Sequence, residues 1–119
     1  MKKIMIVEDE IILTMAIKRS LDDEGFFVLP PVLSGEDAVK RAVTDSPDLV
    51  IMDVTLQGEM DGIEATMLIK KELNIPVIIT TAHSDAVMIE RIESSGCDDY
   101  LFKPVNFAEM VEHVTKLLV

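Results

Sequence analysis

The residues with reactive chemistry in this sequence stand at the ends of short apolar runs. Glu8 and Asp9 follow Lys3–Val7, Asp53 follows Leu49, Val50, Ile51 and Met52, Thr81 closes the stretch at 77–80, and Lys103 comes after Asp99–Phe102. Carboxylates that meet repel by roughly 4 kcal/mol per pair at about 4 Å and an effective dielectric of about 20, so three together need protonation or a cation. A divalent ion is the simpler answer. All-oxygen ligands with room for water favour Mg2+ over zinc, and the sequence offers no Cys/His cluster as an alternative. Such an ion would screen an approaching phosphoryl group and act as its Lewis acid.

Whether these side chains meet depends on the elements that carry them. Lys3–Val7 predicts a first strand, and Leu13, Ala16, Ile17, Ser20 and Leu21 then repeat at helical spacing up to Gly25. Residues 26–29 predict a second strand ended by Pro30 and Pro31. Ser34 is placed as the cap of a helix with Ala38, Val39, Ala42 and Val43 inward. Residues 48–52 predict a third strand buried on both faces, opened by Ser46 and Pro47 and ended by Asp53. Asp61 and Glu64 have capping-box spacing before a helix lined by Ala65, Leu68, Ile69 and Leu73, which Asn74 and Pro76 end. Residues 77–80 predict the fourth strand, and Ser84 is placed as the cap of a helix carrying Val87, Met88 and Ile92, closed by Gly96. Asp99–Phe102 predicts the fifth strand. Asn106 and Glu109 repeat the capping spacing before Phe107, Met110, Val111, Val114 and Leu118.

This alternation predicts an α/β fold, a flavodoxin-like, doubly wound, five-stranded parallel sheet of order 2-1-3-4-5 with five helices. That order sets the first and third strands side by side while their helices leave in opposite directions. Glu8, Asp9 and Asp53 then border one crevice, with Thr81 and Lys103 on the same edge.

The 119 residues are expected to form one domain over 1–119, and a mean hydropathy of +0.31 is too apolar for disorder. Eleven basic against twenty-two acidic residues give a net charge of −11, which argues against a nucleic-acid or anionic-lipid surface. Glu8, Asp9 and Glu10 interrupt the N-terminal apolar run before it could serve as a signal peptide, and the single Cys97 suits a reducing compartment. A cytoplasmic location is expected.

Together these residues resemble the receiver domains of two-component response regulators, including the single-domain chemotaxis and sporulation types, along the whole chain from Ile4 to the last helix. The resemblance implies that Asp53 accepts a phosphoryl group. It implies Mg2+ held by Glu8 largely through water, and by Asp9, Asp53 and the Thr55 carbonyl. Thr81 matches the switch threonine, Tyr100 the aromatic rotamer switch, and Lys103 the lysine that pairs with a phosphoryl oxygen, with Pro104 usually following a cis peptide. Thr55 and His83 fall where receivers tune the hydrolytic water. The implied donor is a sensor histidine kinase or a phosphotransfer protein. The implied output is a downstream protein or an output domain outside this chain, reached through a surface of the fourth helix, fifth strand and fifth helix that also offers a dimer contact. Such a protein is a phosphoacceptor that catalyses its own phosphorylation and dephosphorylation, not a turnover enzyme. One departure stands out: the loop after Asp53 usually contains a proline and reaches its Asp-Gly one residue sooner.

Two other functions compete. A Mg2+-dependent phosphatase with an aspartate nucleophile normally has a second acid two residues on, where this chain has Thr55. A non-phosphorylated flavodoxin-like binding module would be expected to carry a phosphate-cradling loop, and none is evident. Singly, Glu8 and Asp9 read as an acidic helix start, Asp53 and Thr81 as polar strand ends, Lys103 as a solvated lysine and Tyr100 as a half-buried aromatic. Their co-occurrence on one sheet edge favours the site. His113 is read as part of a solvated helix face. Ile11 and Met15 are placed off the inner stripe of the first helix, beside the acids, where a helix of the phosphodonor would find an apolar seat.

Overall fold

The computed structural model describes residues 1–119. Five strands, β1 (Lys3–Val7), β2 (Phe27–Val28), β3 (Leu49–Asp53), β4 (Val77–Thr81) and β5 (Asp99–Phe102), form one sheet of order β2-β1-β3-β4-β5. Every pairing is parallel. The helices are α1 (Ile11–Asp23), α2 (Gly35–Thr44), α3 (Gly62–Glu72), α4 (Ala86–Ser94) and α5 (Phe107–Leu118). No helix is long and apolar enough to cross a membrane.

Alternation along the strands divides the core between the two faces. Ile4, Ile6, Leu49, Ile51 and Ile78 point to α1 and α5, where Ile17, Leu21, Met110 and Val114 meet them. Met5, Val7, Val50, Met52 and Ile79 point the other way, onto Ala38 and Ala42 of α2, Ile63, Ala65 and Ile69 of α3 and Ile92 of α4. β3 is buried throughout, as its unbroken apolar run predicts, so its C-terminal residue is fixed from both sides.

Several local expectations change. β2, at the sheet edge, is only two residues long: Pro30 and Pro31 have no N–H to extend the ladder, and an isolated bridge between Val32 and Val7 is all that follows. α4 is capped by Asp85, whose carboxylate accepts the Met88 N–H at 3.2 Å, and not by Ser84. Val43, Leu68 and Val87 are exposed where an inward position is predicted. Each neighbours a helix residue that does face the core, Ala42, Ile69 and Met88, and positions one apart lie about 100° around the helix. Thr14, rather than Ala16, completes the buried face of α1 with Ile17 and Leu21. The Asp61–Glu64 capping box forms in both directions, whereas Asn106 accepts from the Glu109 N–H without a reciprocal bond.

Candidate functional site

Parallel strands deliver their C-terminal residues to one edge, and the crevice opens where α1 and α3 leave for opposite faces. Carboxylate oxygens of Glu8, Asp9 and Asp53 come within 4.8 Å of one another there. Glu8 and Asp53 are buried and Asp9 is half-buried. Lys103 reaches in from the end of β5: its Nζ lies 2.9 Å from Glu8 Oε1, 3.1 Å from Asp53 Oδ2 and 3.7 Å from Glu10 Oε2. The Glu10 N–H donates to Glu8 Oε2 at 3.1 Å, so both Glu8 oxygens are engaged. The Lys103–Pro104 peptide is cis.

Burial is the dominant influence on both buried acids. It pushes the Glu8 and Asp53 carboxyls above their ordinary range, against the opposing pull of their hydrogen bonds to Lys103. Burial also works against the Lys103 ammonium, but its bonds to Glu8 and Asp53 prevail and raise its pKa. Three acids around one lysine leave a surplus of negative charge. An all-oxygen donor set of this size, part buried and part open to water, fits a divalent cation of the Mg2+ kind.

A carboxyl whose pKa is higher folded than unfolded holds its proton more tightly in the fold. Its contribution to stability is therefore complete below the unfolded pKa and declines as pH rises through the folded one. Without a divalent cation, urea midpoints should fall as pH climbs upward from the ordinary values of 3.8 for Asp53 and 4.5 for Glu8. Adding Mg2+ at neutral pH should raise the midpoint again, and Asp53→Asn should flatten the slope. A midpoint indifferent to both pH and Mg2+ would show that the acids carry no such charge surplus.

The remaining predicted residues have varied surroundings. Thr81 is fully buried, its Oγ1 donates to the His83 carbonyl at 3.2 Å, and the His83 N–H donates back to it at 3.0 Å. The Thr81 carbonyl accepts the Lys103 N–H at 2.8 Å, coupling the β4 and β5 ends. Tyr100 is half-buried and donates from its hydroxyl to Glu93 of α4 at 2.8 Å, with Phe102 edge-on to its ring. Thr55 and His83 are exposed, two residues beyond Asp53 and Thr81. Ile11 and Met15 are exposed at 52% and 64%, as predicted. His113 differs from its predicted solvated role: Nδ1 contacts Asp99, tying α5 to β5.

Four charged side chains make contacts that no local sequence signal marks. Glu10 adds to the charge around Lys103, and Glu93 holds Tyr100. Arg91 bonds Asp61 at 2.9 Å, and Glu36 accepts the Glu59 N–H at 3.2 Å. Glu36, Arg91 and Glu93 are exposed or partly exposed polar residues on helices and Glu10 is the exposed cap of α1, so only the partner distinguishes each from a solvated face.

The response regulator receiver domain family matches residues 4–115. The chain belongs to this family. The receiver is 33% identical over 110 residues to the transcriptional regulatory protein PdtaR of Mycobacterium tuberculosis, covering 92% of this chain and 53% of that protein. It is 32% identical over 118 residues to the alkaline phosphatase synthesis transcriptional regulatory protein PhoP of Bacillus subtilis, covering 98% and 48%. The chain thus spans about half the length of the curated relatives it matches. A crystal structure of a LuxR-family DNA-binding response regulator from Staphylococcus aureus superposes with a TM-score of 0.91 at 31% identity, covering 100% of both chains. A receiver of this kind is consistent with phosphorelay signal transduction, and the phosphatase and binding-module alternatives are not favoured.

Proposed function

We propose that this receiver accepts a phosphoryl group on Asp53 from a phosphohistidine of a sensor kinase or phosphotransfer protein. The observation that carries the reading is the Lys103 ammonium seated between the carboxylates of Asp53 and Glu8 at the open edge of the sheet. One Asp53 oxygen forms the O–P bond while the P–N bond to the donor imidazole breaks and the ring nitrogen keeps the electron pair. Lys103 balances charge on one transferring oxygen as a point charge. Glu8, Asp9, Asp53 and the Thr55 carbonyl would hold Mg2+, which when bound would supply further positive charge and Lewis acidity to the transferring group.

The acyl phosphate adds acceptor oxygens at the crevice. To reach one of them the Thr81 hydroxyl gives up its bonds to the His83 backbone. Tyr100 then leaves Glu93 and turns inward, shifting the population of the α4, β5 and α5 surface on which an output domain, a downstream protein or a second copy would dock. Thr55 and His83 border the path of the water that later hydrolyses the acyl phosphate. The receiver so described is a self-phosphorylating acceptor rather than a turnover enzyme.

Incubation with a small-molecule acyl phosphate and Mg2+ should add one phosphoryl mass to the intact chain. A chelator should prevent the gain, and Asp53→Asn should abolish it. A gain of equal size in Asp53→Asn would overturn the assignment.

A further inference from the structure

A proline is the expected stiffener of the loop after Asp53, yet residues 54–61 contain none. The loop is closed at its base, where the Gly62 N–H donates to the Val54 carbonyl at 2.8 Å. Its tip is fastened elsewhere, against the N-terminus of α2. The Glu59 N–H donates to Glu36 Oε2 at 3.2 Å, and Ser34 and Gln57 form an isolated parallel bridge. Gly58 adopts φ 86°, and a Cβ there would lie 2.9 and 3.0 Å from the two Glu36 carboxylate oxygens. A Cβ on Gly35 would stand 3.0 Å from the Met60 carbonyl oxygen and 3.2 Å from Met60 Cγ. Loop and helix end therefore touch along several consecutive residues.

Glu36 is the polar centre of this contact. The N–H groups of its own backbone, then of Glu59 and Met60, draw its carboxyl below the ordinary 4.5, and the positive end of α2 favours the same ionised form. Its Oε1 is covered by the loop and makes no hydrogen bond of its own.

We propose that Glu36 is a positioning residue for the phosphoacceptor site. Holding the tip of the loop against α2 fixes the course of the chain just after Asp53, and so the place of the Thr55 carbonyl relative to Asp53, Glu8 and Asp9. Glu36 itself touches none of the reacting groups. The inference rests on the phosphoacceptor reading, because it concerns where that site's ligands stand.

The test uses the full chain as wild type, Glu36→Ala, Glu36→Gln, Gly58→Ala and the Glu36→Ala/Gly58→Ala double variant. Amide hydrogen exchange is followed without metal, and Mg2+ affinity is measured by calorimetry. Glu36→Ala should speed exchange at residues 55–61 while the β1, β3 and β4 amides keep their protection. It should also weaken Mg2+ binding about tenfold, the scale of a lost hydrogen bond to a charged acceptor. Glu36→Gln, which keeps one acceptor for Glu59, should fall in between. The double variant should be no weaker than the weaker single one, and any deficit in phosphorylation rate should vanish at saturating Mg2+. Unchanged Mg2+ affinity in Glu36→Ala, with wild-type binding intact, overturns the inference alone. No Mg2+ binding by the wild type overturns the phosphoacceptor reading and the inference with it.

Discussion

Gly62→Ala is expected to destabilise this receiver by about 4 kcal/mol or more, or to prevent its folding, an effect at the far end of the range for single substitutions. A Cβ at this position would lie 1.9 Å from the Asp53 carbonyl oxygen, 2.8 Å from the carbonyl carbon and 3.0 Å from Met52 Cγ. The obstacle is backbone of the central strand, so no side chain can swing aside to make room. Asp53 is paired with Thr80 of β4, and the next residue, Val54, donates to the Thr80 carbonyl at 3.1 Å. Moving the strand end would break that ladder, and moving α3 would pull Gly62 off the Val54 carbonyl and disturb its capping box. Urea unfolding followed by far-ultraviolet circular dichroism measures the cost. A loss below about 1 kcal/mol would mean that helix and strand do not approach as closely as described. The glycine is needed at the place that fixes the acceptor, so fold and site share one constraint.

Lys103→Ala should lower the rate of phosphorylation by about 100- to 1,000-fold at saturating Mg2+, the scale seen when one preorganised electrostatic contact to a transition state is removed. Its ammonium is the one cationic side chain bonded to Asp53, and the same group neutralises Glu8. The substitution also leaves two buried carboxyls facing one another, so their pKa values should rise further. Stability without metal should then decline more steeply with pH than in the wild type, and Mg2+ should recover more of it. Initial rates with an acyl phosphate donor and urea midpoints across pH give the two readouts. A rate within twofold of wild type would remove Lys103 from the transfer step.

The strands and the five residues on their edge were legible because each signal was local. Leu49, Val50, Ile51 and Met52 form a buried run that ends in a carboxylate, and Ser34, Asp61 and Asn106 are caps whose partners lie three residues on. Helix faces were read less well, since Ala42 and Val43, or Leu68 and Ile69, satisfy the same apolar periodicity and only packing decides between them. Ser84 and Asp85 are adjacent residues equally able to cap, and backbone geometry selects the second. Side-chain contacts between distant segments were out of reach for a different reason. Arg91 to Asp61, Glu36 to Glu59 and His113 to Asp99 each join segments whose proximity exists only after folding. The loop after Asp53, flagged by its missing proline, marked where such a contact would be needed without naming Glu36 as its source.

The most direct measurement is the position of the modified residue. The receiver would be phosphorylated with an acyl phosphate and Mg2+, the acyl phosphate reduced with borohydride, and the chain digested and sequenced by mass spectrometry. Reduction is expected at Asp53 alone, with Glu8, Asp9 and His113 unmodified. Reduction at Glu8 or Asp9, or a phosphoryl group retained on His113 with Asp53 untouched, would contradict the assignment of Asp53.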